Sequence, residues 1–387
     1  MSRLTLLLVL GALVLAACSR APAAEPTTAP TTTTLPPTTT TLPPTTTTLP
    51  PTTTTTEPAA LSPLNGVPVK NDKWLDRRVM AVKIDNHPNA RPQSGLLNSD
   101  LVIEEEAEGG ITRFIALFLQ SDSANLGPMR SVRPTDIGFL GPLGATIGYS
   151  GGQPWIKDAV NAAGIPAIGE TRENEATWRI TSRYAPHNLY VNTGKMRQLA
   201  DEREFPNDPP ETGLLTFGTP PRGVGEPASS VHIDWAFGNY VDWEWNEDEG
   251  LWLRSQQGSP HNWIDDEDEE DEVGEDEESQ VGEEDQEGVD EESQIGVETL
   301  VILESPDYTA YPSGSGTPVP ATETIGTGRA LVFHDGEVIE GTWEREDVEE
   351  GFKLEVDGRP LRVPPGEVWL TMHPDDEPAE WNAAAES

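Results

Sequence analysis

The stretch DLVIEEEAEGGITRFIALFLQ, residues 100–120, predicts two strands joined at a glycine pair. Its halves, DLVIEEE (100–106) and ITRFIALFLQ (111–120), are short runs rich in β-branched and aromatic residues, and Gly109-Gly110 separates them. Upstream, RVMAVKIDNH (78–87) predicts a further strand that ends in a polar loop. Three neighbouring strands indicate that this part of the chain forms a sheet.

A short apolar run and one helical segment follow these strands. ATIGYSGG (145–152) is a short apolar run that ends in glycines. PWIKDAVNAAG (154–164) predicts a helix, because proline lies near its start, glycine lies at its end and its apolar residues have helical spacing. Strands that alternate with helical stretches predict an α/β or α+β domain over residues 64–205.

Residues 231–373 predict a smaller, mainly antiparallel β domain. YVDWEW (240–245) alternates apolar and polar residues and leads through a turn into a second strand. ALVFHDGEVIEGTW (330–343) and FKLEVDGRPLRV (352–363) each carry an Asp-Gly turn between alternating segments, which is a strong hairpin signal. The tail, 374–387, is polar, and we expect it to be frayed.

Two segments of low complexity accompany these domains. Residues 31–58 repeat TTTTLPP within a Thr/Pro-rich stalk at 19–60. Paired prolines forbid helix there, and an extended polyproline II chain would reach roughly 85 Å, with its threonines either O-glycosylated or unmodified. Residues 265–292 hold 19 Asp and Glu and no Lys or Arg, which predicts a disordered acidic insert in the second domain. A calcium site is the alternative, but the spacing of a calcium loop is absent.

The N-terminus, MSRLTLLLVLGALVLAAC (1–18), predicts a lipoprotein signal peptide. Its uncharged run Leu4–Leu15 is too short to span a membrane, and Leu15-Ala16-Ala17-Cys18 matches the bacterial lipobox. Cys18 is the one cysteine in the chain, so an ordinary signal peptide with an incidental cysteine is the weaker alternative. Lipidation of Cys18 predicts an extracytoplasmic protein anchored to the outer face of the bacterial cell membrane.

Composition excludes several classes of function. After Cys18 the chain has no thiol, which rules out disulfides, zinc–cysteine sites and cysteine nucleophiles. The net charge is −42, so we expect no nucleic-acid partner. We expect neither a metal nor a cofactor. The expected partners are the membrane, through Cys18, and a cell-wall polymer or an envelope protein.

The segment LGPMRSVRP (126–134) places two arginines close together in this acidic chain. Pro134 suits the first turn of a helix, so Arg130 and Arg133 would lie just ahead of a helix N-terminus and form an anion site. The alternative is an internal ion-pair network of Arg113, Arg130 and Arg133 with the acids of residues 104–108. Asp136 would compete for the same donors.

Asp85 and Glu108 are candidates for a general acid and base. No nucleophile elbow, phosphate-binding loop or HExxH helix supports an enzyme, so catalysis is the lesser hypothesis. His87 and His187 lack the spacing of metal ligands, which favours loop or hydrogen-bonding roles. Five tryptophans form a further group: Trp235, Trp243, Trp245, Trp252 and Trp263. Their alternation with charged residues favours packing in the β core, and stacking on sugars is the alternative.

Several unusual motifs, in order, resemble the YerB-like bacterial lipoproteins, a two-domain family of unknown function. DNHP (85–88), ARPQSG (90–95), EGGITR (108–113) and GPMRSVRP (127–134) are similar to motifs of its first domain. GTGRALVFHDGEVIEGTWER and PPGEVWLTMHP are similar to its C-terminal domain. The resemblance covers residues 64–373 and implies a surface-anchored lipoprotein, but supplies no catalytic mechanism. Thr135-Asp136, where the family usually has an aromatic residue, and the acidic insert depart from the pattern.

We therefore hypothesise that this protein binds an anionic or polar envelope ligand in a cleft that also holds Asp85 and Glu108. The candidate ligand-binding residues are Asn86, Arg91, Arg113, Arg130, Ser131 and Arg133. Two alternatives stay open. One is a hydrolase or transferase that acts on wall or lipid-linked precursors with Asp85 and Glu108. The other is an interaction scaffold whose arginines are structural.

Overall fold

A computed structural model describes residues 60–69, 71–169, 175–265, 292–312 and 316–384. Cys18 with its signal peptide, the stalk repeats and residues 266–291 of the acidic insert lie outside the described residues. The lipidation, glycosylation and disorder expected for them stay predictions.

The first region, through residue 206, combines short helices with strands. Its elements are β1 (Met80–Asp85), β2 (Gln93–Ser94), β3 (Leu101–Glu106), β4 (Thr112–Phe118), α1 (Asp136–Leu140), β5 (Thr146–Gly148), α2 (Pro154–Ala162), β6 (Ala167–Ile168), β7 (Thr177–Arg179), β8 (Leu189–Val191) and α3 (Thr193–Glu202). The strands predicted at 78–87, 100–106 and 111–120 and the helix predicted at 154–164 are confirmed. In α2 the side chains of Ile156 and Val160, one turn apart, are buried.

In the part that the structure describes, the second region consists of strands and one short 3-10 turn, Ala236–Gly238. The strands are β9 (Glu226–Trp235), β10 (Asn239–Asn246), β11 (Leu251–Gln256), β12 (Ser259–Pro260), β13 (Asn262–Ile264), β14 (Glu292–Gln294), β15 (Gly296–Val297), β16 (Thr299–Ser305), β17 (Asp307–Ala310), β18 (Val319–Thr322), β19 (Gly326–His334), β20 (Glu337–Arg345), β21 (Lys353–Val356), β22 (Arg359–Pro360), β23 (Val368–Pro374) and β24 (Glu380–Ala383).

One sheet runs through both regions. Pairing proceeds from β6 through β5, β1, β4 and β3 to β23, β16, β19 and β20. The step between regions is the parallel pair of β3 with β23, in which Val102 lies opposite Trp369. The described residues are therefore largely sheet with few helices. The predicted β character of the second region is confirmed, whereas the α/β or α+β prediction overstated the helical share of the first.

The Asp-Gly turns form as predicted. Asp335-Gly336 joins β19 to β20, and Asp357-Gly358 joins β21 to β22. All four residues have φ between +49° and +70°, the left-handed conformation that a two-residue hairpin turn requires. Aspartate tolerates this conformation better than most side chains, and glycine adopts it without steric strain.

Apolar layers cover both faces of the sheet. Along β1, Ala81 faces one layer and Val82 the other, as the two-residue repeat of a strand dictates. The predicted core packing of tryptophans is confirmed: Trp235, Trp243 and Trp252 are at most 2% exposed, and Trp245 and Trp263 pack half-buried against the same layer.

The prediction of a frayed tail is wrong for residues 380–383. β24 pairs antiparallel with β9, placing Trp381 opposite Val231. Trp381 also packs against the apolar layer, so a single large aromatic side chain supplies the burial that the polar composition of the tail conceals.

Candidate ligand-binding site

The ends of β1, β3 and β4 bring the predicted polar residues together. Strand register sets Asp85 opposite Arg113, and Arg113 opposite Glu105. Because residues opposite each other share a face, these three side chains lie on one side of the sheet, and Glu104 and Thr112 lie on the other. The polar residues therefore divide into two networks, one on each face.

The segment 126–134 runs beside β1 and delivers Arg130 to Asp85. The Asp85 N–H donates to the carbonyl of Pro128 at 2.9 Å, and the Arg130 N–H donates to the carbonyl of Lys83 at 2.7 Å. As a result, Nε of Arg130 lies 3.3 Å from Oδ2 of Asp85. The predicted proximity of Arg130 to Asp85 is confirmed.

The Asp85 carboxylate is buried and contacted on both oxygens. Oδ1 accepts from the backbone N–H of His87 at 3.1 Å, and Oδ2 lies 2.7 Å from Nδ1 of His187. With Arg130 on the same Oδ2, this carboxylate orients an imidazole and a guanidinium at once. An Asp85 held this way is better suited to positioning His187 than to exchanging protons itself.

His87 and His187 stack on each other, with ring centroids 4.4 Å apart and planes 20° apart. Nδ1 of His87 accepts from the backbone N–H of Asn89 at 3.1 Å. Burial, followed by the neighbouring His187, lowers the pKa of His87. The predicted hydrogen-bonding roles of both histidines are confirmed.

Glu108 joins two buried arginines. Nε of Arg133 donates to Oε2 of Glu108 at 3.1 Å, a terminal nitrogen of Arg133 makes a second, shorter contact, and Arg113 lies 3.4 Å from the same oxygen. Burial raises the pKa of Glu108, but the hydrogen bond and charge of Arg133, with help from Arg113, lower it below the usual value overall. A carboxyl with a lowered pKa is a poor proton donor at neutral pH.

Arg130 is the arginine of this group that solvent reaches. Its side chain is 24% exposed, against 9% for Arg113 and 6% for Arg133. Among the described residues it donates no side-chain hydrogen bond, and its contact with Asp85 is too poorly aligned to count as one. Ser131, its neighbour, donates its hydroxyl to the carbonyl of Ser150 at 3.1 Å and is not free for a ligand in this conformation.

The predicted helix after Pro134 forms, but a carboxylate of its own first turn lies at its N-terminus. α1 has five residues, and Oδ2 of Asp136 accepts from the backbone N–H of Arg133 at 2.6 Å. The other Asp136 oxygen accepts from Nζ of Lys83 at 2.7 Å. A carboxylate of the protein therefore already binds a donor at the place where we expected the anion site, as the predicted competition from Asp136 implies.

Asn86 and Arg91 form a separate pair. Arg91 donates from Nε to Oδ1 of Asn86 at 2.9 Å and from a terminal nitrogen to the Asn86 carbonyl at 2.7 Å. Asn86 is fully buried and donates in turn to Thr112 and Gln256. Its amide is committed to the protein interior, which contradicts its prediction as a ligand-binding residue.

Two buried networks were missed from sequence. Arg254 pairs with Glu104 at 2.7 Å, and Thr112 and the indole of Trp369 also donate to Glu104. Lys83 pairs with Glu105 on the opposite face of the sheet. The alternative network paired the acids of residues 104–108 with the arginines of 113–133. Glu108 does contact Arg113 and Arg133. Glu104 binds Arg254 and Glu105 binds Lys83 instead. The alternation of faces along β3 indicates that Glu104 and Glu105 belong to different networks. No local pattern in the sequence identifies Arg254, which lies 150 residues from Glu104, as a partner.

The described residues also lack two kinds of feature. They include no group of three or more His, Cys, Asp or Glu side chains arranged to hold a metal ion. Within the same ranges, every helix is too short or too polar to cross a membrane.

The chain is therefore a mostly β protein whose two sequence regions share one sheet. An arginine–histidine cluster lies at the ends of its strands. Residues 64–206 match the family model described as "Protein of unknown function (DUF3048) N-terminal domain", and residues 231–370 match the corresponding C-terminal domain. The chain belongs to this YerB-like family, as the resemblance predicted.

Two individual relatives agree with the family models. The chain is 26% identical over 319 residues to the Bacillus subtilis (strain 168) protein named "Putative lipoprotein YerB", an alignment that covers 81% of this chain and 86% of that protein. The crystal structure of YerB from Bacillus subtilis matches with a TM-score of 0.66 at 24% identity, covering 84% of this chain and 99% of the YerB chain. At that identity the structural match establishes the fold alone.

Proposed function

We propose that this protein is a lipid-anchored envelope lipoprotein that binds an anionic or polar envelope ligand through Arg130. The lipoprotein assignment is supported by the lipobox ending at Cys18 and by the name of the Bacillus subtilis relative. An acylated Cys18 would hold the sheet domain outside the cell membrane, where wall polymers are within its reach.

The observation that carries the proposal is the free guanidinium tip of Arg130. Two other arginines, Arg113 and Arg133, share Glu108, and Arg130 shares Asp85 with His187. Three guanidiniums thus contact two carboxylates, and this surplus of positive charge lies in a chain whose net charge is −42. A guanidinium whose terminal nitrogens are unpaired can donate two parallel hydrogen bonds to a phosphate or carboxylate group.

Cosedimentation with purified bacterial wall sacculi tests the proposal. Arg130→Ala should weaken binding by about tenfold or more, because a charge-assisted hydrogen bond is lost. Arg359→Ala is the matched control, since Arg359 is an exposed arginine in another ion pair, and it should bind like the native protein. Unchanged binding by Arg130→Ala, or a large fall in its melting temperature, would favour the scaffold alternative with structural arginines.

A second candidate function is hydrolysis or transfer on wall or lipid-linked precursors. The Asp85–His187 contact favours it, because a carboxylate on Nδ1 leaves Nε2 of an imidazole available as a base. The sequence pairs Glu108 with Asp85 as candidates for a general acid and base. The lowered pKa of Glu108 makes it a weaker candidate for the acid. Release of soluble fragments from sacculi by the native protein, lost in both Asp85→Asn and His187→Gln, is the expected sign of catalysis.

A further inference from the structure

Two aromatic side chains stand exposed at the ends of the charged cluster. Phe237 is 86% exposed and Tyr184 is 92% exposed. Neither ring gains much from burial in the folded chain, so their positions call for an explanation other than core packing.

Phe237 is held beside Glu108 by two turns packed backbone to backbone. The turn Ala236–Gly238 lies against the turn Glu108–Gly110, and a Cβ on Gly110 would come within 1.7 Å of the Ala236 carbonyl oxygen. Asn239 also donates to the carbonyl of Gly109 at 3.2 Å. Phe237 itself has φ of +61°, a strained conformation for a bulky residue, and such strain is concentrated at functional sites.

Tyr184 lies at the other end of the cluster, three residues before His187. The backbone N–H of His187 donates to the Tyr184 carbonyl at 3.0 Å. In the same loop, the Arg183 guanidinium donates to the carbonyls of Ala90 and Pro92, both at 2.7 Å, which fixes the loop over the start of β2. Tyr184 is thereby placed next to the stacked histidines.

A series of side-chain contacts and one backbone link leads from Glu108 to His187. Glu108 contacts Arg113 and Arg133, both of these donate to the carbonyl of Ser131, and Arg130, the preceding residue, contacts Asp85 and through it His187. Glu108 and, in part, Arg130, His87 and His187 are exposed to solvent. Together they offer hydrogen-bond acceptors, donors and a positive charge.

We propose that this row, from Phe237 through Arg130 to Tyr184, binds an acidic polysaccharide chain. Sugar rings would stack on the two aromatic rings, an acidic substituent would bind Arg130, and hydroxyls would bond to Glu108 and the histidines. Isolated rings separated by polar groups suit a chain of sugars, because each ring can stack on the apolar face of one sugar while the polar groups between them bond to its hydroxyls. This inference rests on the proposed function of Arg130 and names its substrate class.

Titration calorimetry with three soluble probes tests the inference: polymannuronate as an acidic polysaccharide, dextran as a neutral one, and polyphosphate as a polyanion without sugar. The native protein should bind polymannuronate best. Phe237→Ala and Tyr184→Ala should each weaken that binding about three- to tenfold. Arg130→Ala should remove it. Leu61→Ala, another exposed apolar side chain, is the control and should bind normally.

The outcomes separate this inference from the one on which it rests. Loss of binding in Arg130→Ala with native affinity in both aromatic variants would overturn the polysaccharide inference and leave the anion site standing. Equal affinity for polyphosphate and polymannuronate would likewise overturn the polysaccharide inference and leave the anion site standing. If the native protein binds neither polyanion, the anion site and the polysaccharide inference both fall.

Discussion

Glu106, the last residue of β3, is buried at 8% exposure in acidic surroundings. Burial, followed by the charges of Asp307, Asp376 and Glu377, raises its pKa from a usual value of 4.5 to about 7. Within the described residues it has neither an ion pair nor a side-chain hydrogen bond. This carboxyl therefore opposes folding at neutral pH.

We expect the contribution of Glu106 to the free energy of unfolding to fall as pH rises from about 4.5 to about 7, because the unfolded chain loses this proton before the folded chain does. Glu106→Gln keeps the shape of the side chain and removes the charge. It should stabilise the protein by about 1–2 kcal/mol at pH 8 and change little at pH 4. Urea unfolding of both proteins at the two pH values measures the difference. Equal stability of the two proteins at pH 8 would contradict the prediction.

Phe237 combines a strained backbone conformation with an exposed side chain, so neither feature stabilises the fold. Asparagine accepts the left-handed conformation more readily than phenylalanine, without the added chain entropy of glycine. Phe237→Asn should therefore raise the free energy of unfolding by about 0.5–1 kcal/mol while it weakens binding of polymannuronate. Thermal denaturation and calorimetry on the same sample test both parts. A destabilised variant would show that Phe237 supports the fold after all.

At the scale of elements, much of the fold could be predicted from the sequence because strands and turns are specified locally. The alternation in ALVFHDGEVIEGTW and its Asp-Gly pair define a hairpin without reference to the rest of the chain. The candidate site was predictable as far as the grouping of Asp85 with Arg130 and of Glu108 with Arg113 and Arg133. The partner of Glu104 was not, since it pairs with Arg254 through a strand order that no local pattern encodes.

β24 shows how an element can escape such patterns. Its four residues, Glu380–Ala383, follow a polar stretch, and three of them are exposed. Its strand character comes from β9, which offers an edge for pairing, and from Trp381, which covers part of the apolar layer. The partner, more than the sequence of the segment, decides the structure here.

Deleting residues 380–387 should lower the free energy of unfolding by about 1–3 kcal/mol, because the apolar area covered by Trp381 becomes exposed. Trp381→Phe in the full chain is the control and should retain most of the stability. Chemical denaturation followed by tryptophan fluorescence gives the comparison. If the truncated protein is as stable as the full chain, β24 contributes nothing to the fold.

At the scale of the whole molecule, the two family regions depend on each other. β3 pairs with β23, β2 pairs with β13, and one apolar layer contains Ile103 of the first region beside Val301 of the second. The described residues accordingly belong to one compact unit. The regions that match separate family models are therefore joined by strand pairing as well as by packing, and we expect them to unfold together.

The Arg254–Glu104 pair provides the sharpest test of that dependence, because it is buried and links the two regions. Arg254→Met leaves Glu104 buried without its cation and should cost about 3–5 kcal/mol of unfolding free energy. Adding Glu104→Gln should recover part of the loss, since no buried charge then remains. Arg359→Met, at an exposed pair, is the control and should be neutral. Scanning calorimetry should show one transition for every variant, shifted down in Arg254→Met. Two separate transitions, or a shift confined to one of them, would mean that the regions fold independently and that the shared sheet is not what stabilises them.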